Sequence, residues 1–420
     1  MPPRGRLPGP TTYGRSSQSP PGVYGRPADQ EPGVYGRPRQ AVPPEPAPRR
    51  RTRSKRRDPW WARLLVVMGS LLMLASGGSI VGTKLLVAQA TKSLNTVNVT
   101  LPDQTGKVVF DGPINILLAG IDTRNNPGEL IRSDTIMLVH IPASHDQAFV
   151  VSIPRDTDAE IPAYKPTGFG GGRYKINAAF AFGSQNKGGW SGGLQLLAET
   201  IKLNYGIAFQ AAAVIDFDGF QKVIQALGGV HMCVDEKVTS IHIGLDSSGH
   251  FKKPFVYDGG AGAPIPVPGV KPQVYLPGCY DMPAWQALDY ARQREGLPHG
   301  DYDRQRHQQQ LIKAMIKKAT SAGVLTNPVK LNKVIQAAGS AVTVSLGGAS
   351  ILDWAFTLRN VGDNSMVMIK TNGGKFDPVT VNGESREKLS PESLQLFEAV
   401  KDDAVADFIV SHPDWVSKDA

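Results

Sequence analysis

The sequence predicts a layered α/β domain in which helices flank a mixed central β-sheet. Short runs of Ile, Val and Leu at residues 114–119, 135–141 and 148–153 predict buried strands, because a central strand is apolar on both faces. Helical spacing of apolar residues predicts amphipathic helices after them. Alternation of the two patterns is typical of an α/β or α+β sheet covered by helices, and it leaves the strand order open.

The remaining elements of this domain follow in chain order. Apolar spacing at Leu194, Leu197 and Ile201 favours a helix, Pro283 suits a first helical turn, and Asp303 can cap a longer helix. We predict helices at 191–203, 217–226, 284–292, 303–320, 329–338, 350–358 and 391–404, and strands at 209–215 and 230–234. Residues 240–277 are rich in Gly, Pro and Ser, so we expect an irregular excursion there.

The N-terminal part of the chain differs in composition from the rest. Residues 1–59 are rich in Pro, Gly and Arg, so we expect a disordered tail. A Tyr-Gly-Arg repeat begins at Tyr13, Tyr24 and Tyr35. We interpret it as low-complexity drift, and a cytoplasmic segment for partner docking or phosphorylation is the alternative.

A single membrane-spanning helix is predicted directly after the tail. Residues 64–83 are 20 uncharged, mostly apolar residues, enough to span about 30 Å of hydrocarbon. Seven basic residues lie at 49–57, and Trp60 and Trp61 suit the interface. We therefore expect a signal-anchor at 60–84 in the cell membrane, a cytoplasmic tail, a stalk at 85–111 and an extracellular domain at 112–420. A cleaved signal peptide is the alternative.

The positive charge of the chain belongs to its tail. Residues 1–63 hold 14 of the 46 Lys and Arg but only 4 of the 37 Asp and Glu, so the remainder is close to neutral. A nucleic-acid partner is therefore not expected, despite the net charge of +9.

Two cysteines, Cys233 and Cys279, lie in the part predicted to be extracellular. A disulfide is expected in that compartment, and two free buried thiols are the alternative. The chain has no CxxC or HExxH pattern that would indicate zinc.

Charged side chains gather at the ends of the first three predicted strands. Asp122 follows the first strand and Asp134 precedes the second, so the two carboxylates could share one metal ion. Arg132 lies two residues from Asp134 and points to the same face in an extended stretch. Arg155 and Asp156 leave the third strand, where Asp156 can orient the arginine.

A second charged group lies around the start of the helix predicted at 303–320. Arg292 and Arg294 end one helix, and Asp303, Arg304 and Gln308 begin the next. Arginines beside a helix N-terminus make an anion site, because the helix dipole and unpaired N–H groups add to their charge. Loop-end salt bridges or a solvated basic face are the alternatives to a phosphate site.

In this order, the motifs resemble those of the LytR-CpsA-Psr family from about Asp111 onward. Members of that family are membrane-anchored enzymes that move a glycopolymer phosphate from a polyprenyl-pyrophosphate carrier to peptidoglycan. The resemblance implies Mg²⁺ on Asp122 and Asp134. It implies that pyrophosphate is held by Arg132, Arg155, Arg292, Arg294, Arg304 and Gln308. Lys175 resembles another polar position of the family.

One departure from the family pattern is the sequence His307-Gln308-Gln309, where the family often has Arg-Gln-Gln. Arg306 is the candidate to replace the missing contact. No nucleophile–His–Asp pattern or P-loop is present, so we expect positioning and electrostatic stabilisation, with Asp134 or Asp156 as candidate base. The expected function is a wall-glycopolymer phosphotransferase. A non-catalytic polyprenyl-glycan binding protein or assembly scaffold and a membrane-bound transcriptional regulator are the alternatives.

Overall fold

The computed structural model describes residues 95–417, except 98, 105, 124–129, 258–263, 322–333 and several positions between 335 and 364. The predicted tail, the apolar run at 64–83 and the start of the stalk lie outside the described residues. So do parts of the helices predicted at 329–338 and 350–358. Among the residues that are described, no helix is long and apolar enough to cross a membrane.

Seven strands form a central sheet, which is mixed as predicted. In spatial order they are Asn95–Thr96 (β1), Val342–Ser345 (β15), Ala211–Asp216 (β7), Ile114–Ile121 (β2), Ser133–Ile141 (β3), Ala148–Ser152 (β4) and Met366–Lys370 (β16). Three neighbouring pairs are parallel, namely β1 with β15, β7 with β2, and β4 with β16. The other neighbours are antiparallel.

Strands β2, β3 and β4 are largely buried on both faces, as their uninterrupted apolar runs predicted. On β2, Ile114 and Ile116 pack into one core, whereas Leu117 and Ala119 pack into the other. This distribution follows from the alternation of side chains along a strand. The sheet therefore separates two hydrophobic cores.

Helices cover both cores. One core includes residues of Phe217–Leu227 (α3), Ala284–Arg292 (α4) and Asp301–Ser321 (α5). The other includes residues of Ala178–Ser184 (α1), Gly189–Tyr205 (α2), Pro391–Lys401 (α6) and Val405–Ser411 (α7). The described part of the domain thus has helix, sheet and helix layers, as the fold class predicted.

Several predicted boundaries were wrong. The helix expected at 391–404 ends at Lys401, and α7 follows as a separate helix. Helix α5 begins at Asp301 rather than Asp303. The described end of the predicted stalk belongs to the folded domain, because β1 pairs in the sheet and Leu101 is buried.

Residues 240–277 contain strands, so the expected irregular excursion was wrong in part. The strands Val238–Leu245 (β9), Phe251–Lys252 (β10) and Lys271–Tyr275 (β13) form a small sheet. Phe255–Val256 (β11) pairs with Ile265–Pro266 (β12). The sequence did not reveal these strands because glycine and proline interrupt the alternating apolar pattern.

Three further two-stranded ribbons complete the described strands. They are Asp158–Ile161 (β5) with Gly172–Lys175 (β6), Val230–Val234 (β8) with Gly278–Met282 (β14), and Pro378–Val381 (β17) with Glu384–Glu387 (β18). Cys233 and Cys279 are direct cross-strand partners on β8 and β14, and they form a disulfide. The predicted disulfide is therefore confirmed.

The charged loops predicted from sequence lie at one end of the central strands β2, β3 and β4. Strand β3 is antiparallel to both β2 and β4, so its beginning lies beside their ends. Asp122 follows β2, Asp134 lies at the start of β3, and Arg155 follows β4. The three side chains therefore lie at the same end of three adjacent strands. Helices α4 and α5 contact each other and bring the second charged group to this end.

Candidate pyrophosphate site

A cavity of about 190 Å³ lies where the charged loops meet. Seven of its lining side chains were predicted as site residues, namely Asp122, Asp134, Arg155, Arg292, Arg294, Arg304 and Gln308. Phe217, Ile241, His242 and Glu295 complete the lining. Four guanidinium groups thus outnumber three carboxylates, and the cavity is suited to an anion.

Arg155 lies among three carboxylates. Its Nη1 donates to Asp134 Oδ1 at 2.5 Å, and its Nε lies 3.8 Å from Asp156 and 3.9 Å from Asp301. Burial alone would lower the pKa of Arg155, but the three acidic neighbours together raise it. The guanidinium is therefore a fixed positive charge in the cavity wall.

Arg304 is the most deeply buried of the four arginines. Its Nη2 lies 2.6 Å from Asp301 Oδ1 and donates to the backbone oxygen of Asp134 at 3.1 Å. Burial lowers the pKa of Arg304. Asp301 and Asp134 counteract this shift, whereas Arg155 and Arg294 add to it. An anion in the cavity would offset this repulsion between positive groups.

Buried polar atoms in the wall lack partners. The Nε atoms of Arg155 and Arg304 and the Oε1 of Gln308 have no hydrogen-bond partner among the described residues. Buried polar atoms are nearly always paired in folded proteins. Unpaired donors beside a cavity therefore indicate a place where a ligand binds.

Arg292 and Arg294 approach the cavity from the end of α4. Arg292 Nη2 lies 3.3 Å from Asp122 Oδ2, and the guanidinium carbon stands 4.4 Å above the ring of Phe217. Arg294 is more exposed and lies 3.9 Å from Glu295. The ring of Phe217 restricts Arg292 to one side of the cavity by a cation–π contact.

Asp156, Lys175 and Arg132 were predicted as site residues but do not line the cavity. Asp156 Oδ1 lies 3.1 Å from Lys175 Nζ, and Asp156 Oδ2 lies 3.8 Å from Arg155 Nε. Arg132 is exposed just before β3. Asp122, Asp134 and the arginines form the wall itself.

Asp303 is buried and faces away from the cavity lining. Its Oδ2 accepts from the backbone N–H of His299 at 2.7 Å, and its Oδ1 lies 3.0 Å from Arg306 Nη1. It therefore orders the first turn of α5 from inside the helix. The prediction that Asp303 caps this helix was wrong, because the helix begins at Asp301.

Arg306 does not line the cavity, so it does not replace the contact that the family sequence provides. It pairs with Asp303 and also with Asp235 at 2.9 Å and Glu236 at 2.5 Å. His307 beside it is fully buried and stacks on Tyr290. This part of α5 binds the protein's own carboxylates.

Two apolar cavities of about 30 Å³ each continue inward from the charged cavity. The first shares Arg292, Gln308 and Phe217 with the charged cavity and adds Leu288, Ala291 and Leu311. The second shares Gly120, Thr135, Met137, Phe220 and Ile312 with the first. Charged and apolar spaces thus form a series between the sheet and helices α3 and α5.

The family model described as "LytR_cpsA_psr family" matches residues 83–399 of this chain. The chain belongs to the LytR-CpsA-Psr family.

Individual relatives agree with this assignment. An Oceanobacillus iheyensis protein named "Polyisoprenyl-teichoic acid--peptidoglycan teichoic acid transferase TagU" is 28% identical over 307 residues, 71% of this chain and 80% of the relative. The "Regulatory protein MsrR" of Staphylococcus aureus is also 28% identical, over 72% of this chain and 76% of its own. The crystal structure of protein gbs0355 from Streptococcus agalactiae has the same fold, with a TM-score of 0.51, 21% identity and coverage of 70% of this chain and 88% of that one.

Asp122 and Asp134 are the candidate ligands for Mg²⁺. Ile121 and Ser133 are paired, so Asp122, which follows β2, and Asp134, near the start of β3, lie at one end of the sheet, and both line the cavity. Carboxylate oxygens are the ligands that Mg²⁺ prefers, and it commonly takes only one or two from the protein. Each carboxylate would then contact both the ion and the arginine with which it already pairs.

Other groupings of potential metal ligands in the described residues are less suitable. Cys233 and Cys279 lie near His231, but their sulfurs are joined in the disulfide. Asp235 and Glu236 lie near His307, but none of the three lines the cavity, and both carboxylates pair with Arg306.

Sequence reasoning missed five residues at or beside the cavity. Asp301 lies two residues before Asp303 and was not predicted as a site residue, because no signal in the sequence distinguished it from Asp303. Phe217, Ile241 and His242 come from segments read as helix start and irregular excursion. Glu295 directly follows the Arg-Gln-Arg motif, which was the one signal available for it.

Proposed function

We propose that this protein transfers a glycan phosphate from a polyprenyl-pyrophosphate carrier to a hydroxyl of peptidoglycan during cell-wall assembly. The series of cavities carries the proposal, because an arginine-rich space for pyrophosphate shares Arg292 and Gln308 with an apolar space for an isoprenoid chain. The name of the TagU relative, a polyisoprenyl-teichoic acid transferase acting on peptidoglycan, supports the same chemistry.

The arginines suit both the bound carrier and the transition state. A pyrophosphate esterified at both ends carries two negative charges, and guanidinium groups bind phosphate oxygens in bidentate fashion. Charge accumulates on the departing polyprenyl phosphate during transfer. Arg155 and Arg304, fixed by carboxylates and burial, would stabilise that charge without reorganising.

The reaction requires one bond to form and one to break at phosphorus. The acceptor hydroxyl oxygen attacks the phosphorus that carries the glycan, and the bond from that phosphorus to polyprenyl phosphate breaks. The hydroxyl proton passes to a carboxylate. Of the two predicted candidates, Asp134 lines the cavity and Asp156 does not, so Asp134 is the better placed base. When bound at Asp122 and Asp134, Mg²⁺ would neutralise phosphate charge.

The proposed location follows from the sequence pattern at 49–84. A signal-anchor in the cell membrane would keep the N-terminal tail in the cytoplasm and place the catalytic domain outside, where peptidoglycan lies. The carrier lipid would reach the apolar cavities from that membrane.

Blocking the apolar cavities tests the carrier's proposed position. Ile312 lines both apolar cavities, so Ile312→Gln should slow transfer from a long-chain polyprenyl pyrophosphate at least tenfold. Transfer from a carrier with a single short isoprenoid should slow much less, because that chain does not extend as far as the substituted side chain. Lys317→Gln, an exposed change on the same helix, is the control and should behave as wild type. Equal losses with long and short carriers would contradict the proposed lipid path.

A further inference from the structure

Gln293 lies between two arginines of the cavity, yet its own side chain is fully buried. Helix α4 ends at Arg292, and the backbone of Gln293 is extended, with φ −69° and ψ 138°. The side chain of Gln293 points into the protein while Arg292 and Arg294 line the cavity. Glutamine is mostly exposed in folded proteins, so its burial here requires a reason.

The amide of Gln293 is fully engaged. Its Nε2 lies 2.9 Å from the backbone oxygen of Asp289, 2.8 Å from Asp289 Oδ1 and 3.2 Å from Ser240 Oγ. Its Oε1 accepts from the backbone N–H of Ile241 at 3.0 Å. The side chain therefore joins the end of α4 to β9.

Asp289 fixes the same network from one helical turn earlier. Its Oδ1 accepts from Ser240 Oγ at 2.9 Å and its Oδ2 accepts from Tyr275 Oη at 2.7 Å. Asp289 is also buried. A buried carboxylate with three donors around it holds its neighbours in one arrangement, because each lost hydrogen bond would leave a buried polar atom unpaired.

The strand on the other side of the network also contributes to the cavity. The pairing of β9 with β13 shifts register between Pro272 and Val274. Ser240 Oγ accepts from the backbone N–H groups of His242 and Ile243, at 3.1 and 2.9 Å. Gln293 accepts from Ile241, so this irregular part of β9 is fixed by side chains, and it presents Ile241 and His242 to the cavity.

We propose that Gln293 is a positioning residue that, together with Asp289, sets the directions of Arg292 and Arg294 toward the bound pyrophosphate. It is not expected to touch the substrate. The reference to pyrophosphate rests on the proposed function, whereas the directions of the arginines do not.

A substitution and its compensating partner test the proposal. Gln293→Glu keeps the side-chain shape but removes the donor and places a second carboxylate beside Asp289. Adding Asp289→Asn reverses donor and acceptor and restores a hydrogen bond between the two side chains. Gln309→Glu is the matched control, because Gln309 is equally buried and fully hydrogen-bonded but contacts Ser152, Ile369 and Ser417 instead of a cavity residue.

The first measurement needs no substrate. Phenylglyoxal modification of the full-length chain, followed peptide by peptide, reports how readily each arginine reacts. Gln293→Glu should raise the rate of modification of Arg292 at least threefold relative to that of exposed Arg173. In the double variant this rate should return toward the wild-type value. Gln309→Glu should leave it unchanged. An unchanged rate at Arg292 in Gln293→Glu, or an equal rise in Gln309→Glu, would overturn the proposal.

The second measurement is transfer from a lipid-linked glycan to peptidoglycan. Gln293→Glu should raise KM for the carrier about tenfold and should be rescued at least partly by Asp289→Asn. Gln309→Glu should lower the thermal midpoint without changing KM. If the wild type transfers nothing, the proposed function fails, while the modification rates still decide whether Gln293 positions the arginines. A loss in Gln293→Glu without rescue and without a KM change would reduce Gln293 to a structural role.

Discussion

Glu387 should make the stability of the fold depend on pH in a way that a single substitution removes. The side chain is 1% exposed on β18, accepts from Asn372 Nδ2 at 3.2 Å and also accepts from Tyr302 Oη. Burial raises the pKa of Glu387 to about 8, and the nearby carboxylates of Asp301 and Asp156 contribute. It therefore stays protonated at neutral pH.

The magnitude follows from the difference between this pKa and the ordinary value of 4.5. Below about pH 4.5 the carboxyl is neutral in both folded and unfolded chains, so it has no unfavourable effect. As pH rises toward 8, only the unfolded chain ionises, and stability is progressively lost. At pH 7 the loss amounts to on the order of 3 kcal/mol.

Urea unfolding of the full-length chain, followed by the fluorescence of its tryptophans, measures this effect. Glu387→Gln keeps the acceptor for Tyr302 and cannot ionise, so it should match wild type near pH 4.5 and be more stable by roughly 3 kcal/mol at pH 7. Glu384→Gln, whose side chain is 47% exposed on the same strand, should show a difference of no more than about 1 kcal/mol. If the free energies of unfolding of Glu387→Gln and wild type differ by the same amount at every pH, the raised pKa of Glu387 is contradicted.

Four further outcomes are expected. Replacing Cys233 and Cys279 by Ala opens a link across a sequence separation of 46, which should lower the free energy of unfolding in urea by roughly 4 kcal/mol; no change would contradict it. Arg292→Ala removes a charge-assisted contact worth about 1.5–3 kcal/mol and should slow glycan transfer at least tenfold with an unchanged circular dichroism spectrum. Asp134→Ala should abolish Mg²⁺ binding in calorimetry, and binding equal to wild type would exclude Asp134 as a ligand. Protease added to intact protoplasts should digest the domain and spare the N-terminal tail, whereas the reverse pattern would overturn the proposed topology.

The elements predicted best were those whose local pattern matches their tertiary environment. The strand at 230–234 and the helix at 284–292 were placed at their observed bounds, because apolar runs and Pro283 mark them clearly. Strand β3 extends back to Ser133, a polar residue that joins through its pairing with Ile121. Such extensions arise from the neighbouring strand and are not encoded in the segment itself.

Elements outside these patterns escaped prediction. Strands β15 and β16 have only four and five residues and occur far along the chain, so their place in the sheet is decided by tertiary pairing. The ribbon of β17 and β18 is largely exposed, apart from Arg386 and Glu387, and shows no apolar run.

The four arginines and two aspartates of the cavity wall could be predicted, whereas Glu295, the neighbouring Asp301 and the apolar lining could not. Arg155 and Arg304 stood out because Arg155 follows a predicted strand and Arg304 lies at the start of a predicted helix. Phe217 and Ile241 look like ordinary core residues in sequence. Asp301 and Asp303 are both acidic, and the sequence does not show which of them begins the helix. Because α5 begins at Asp301, that carboxylate lies one turn before Arg304 and contacts it.

Transfer of a labelled lipid-linked glycan to peptidoglycan by the purified full-length chain decides whether this protein is a glycan phosphotransferase. Wild type should perform the transfer and release polyprenyl phosphate, and Arg155→Ala should be at least roughly tenfold slower while remaining folded. Arg49→Ala, a charge removal in the N-terminal tail, should leave the rate unchanged. If Arg155→Ala matches wild type, the arginine-rich cavity is not where the phosphate is transferred, and a non-catalytic binding role takes its place.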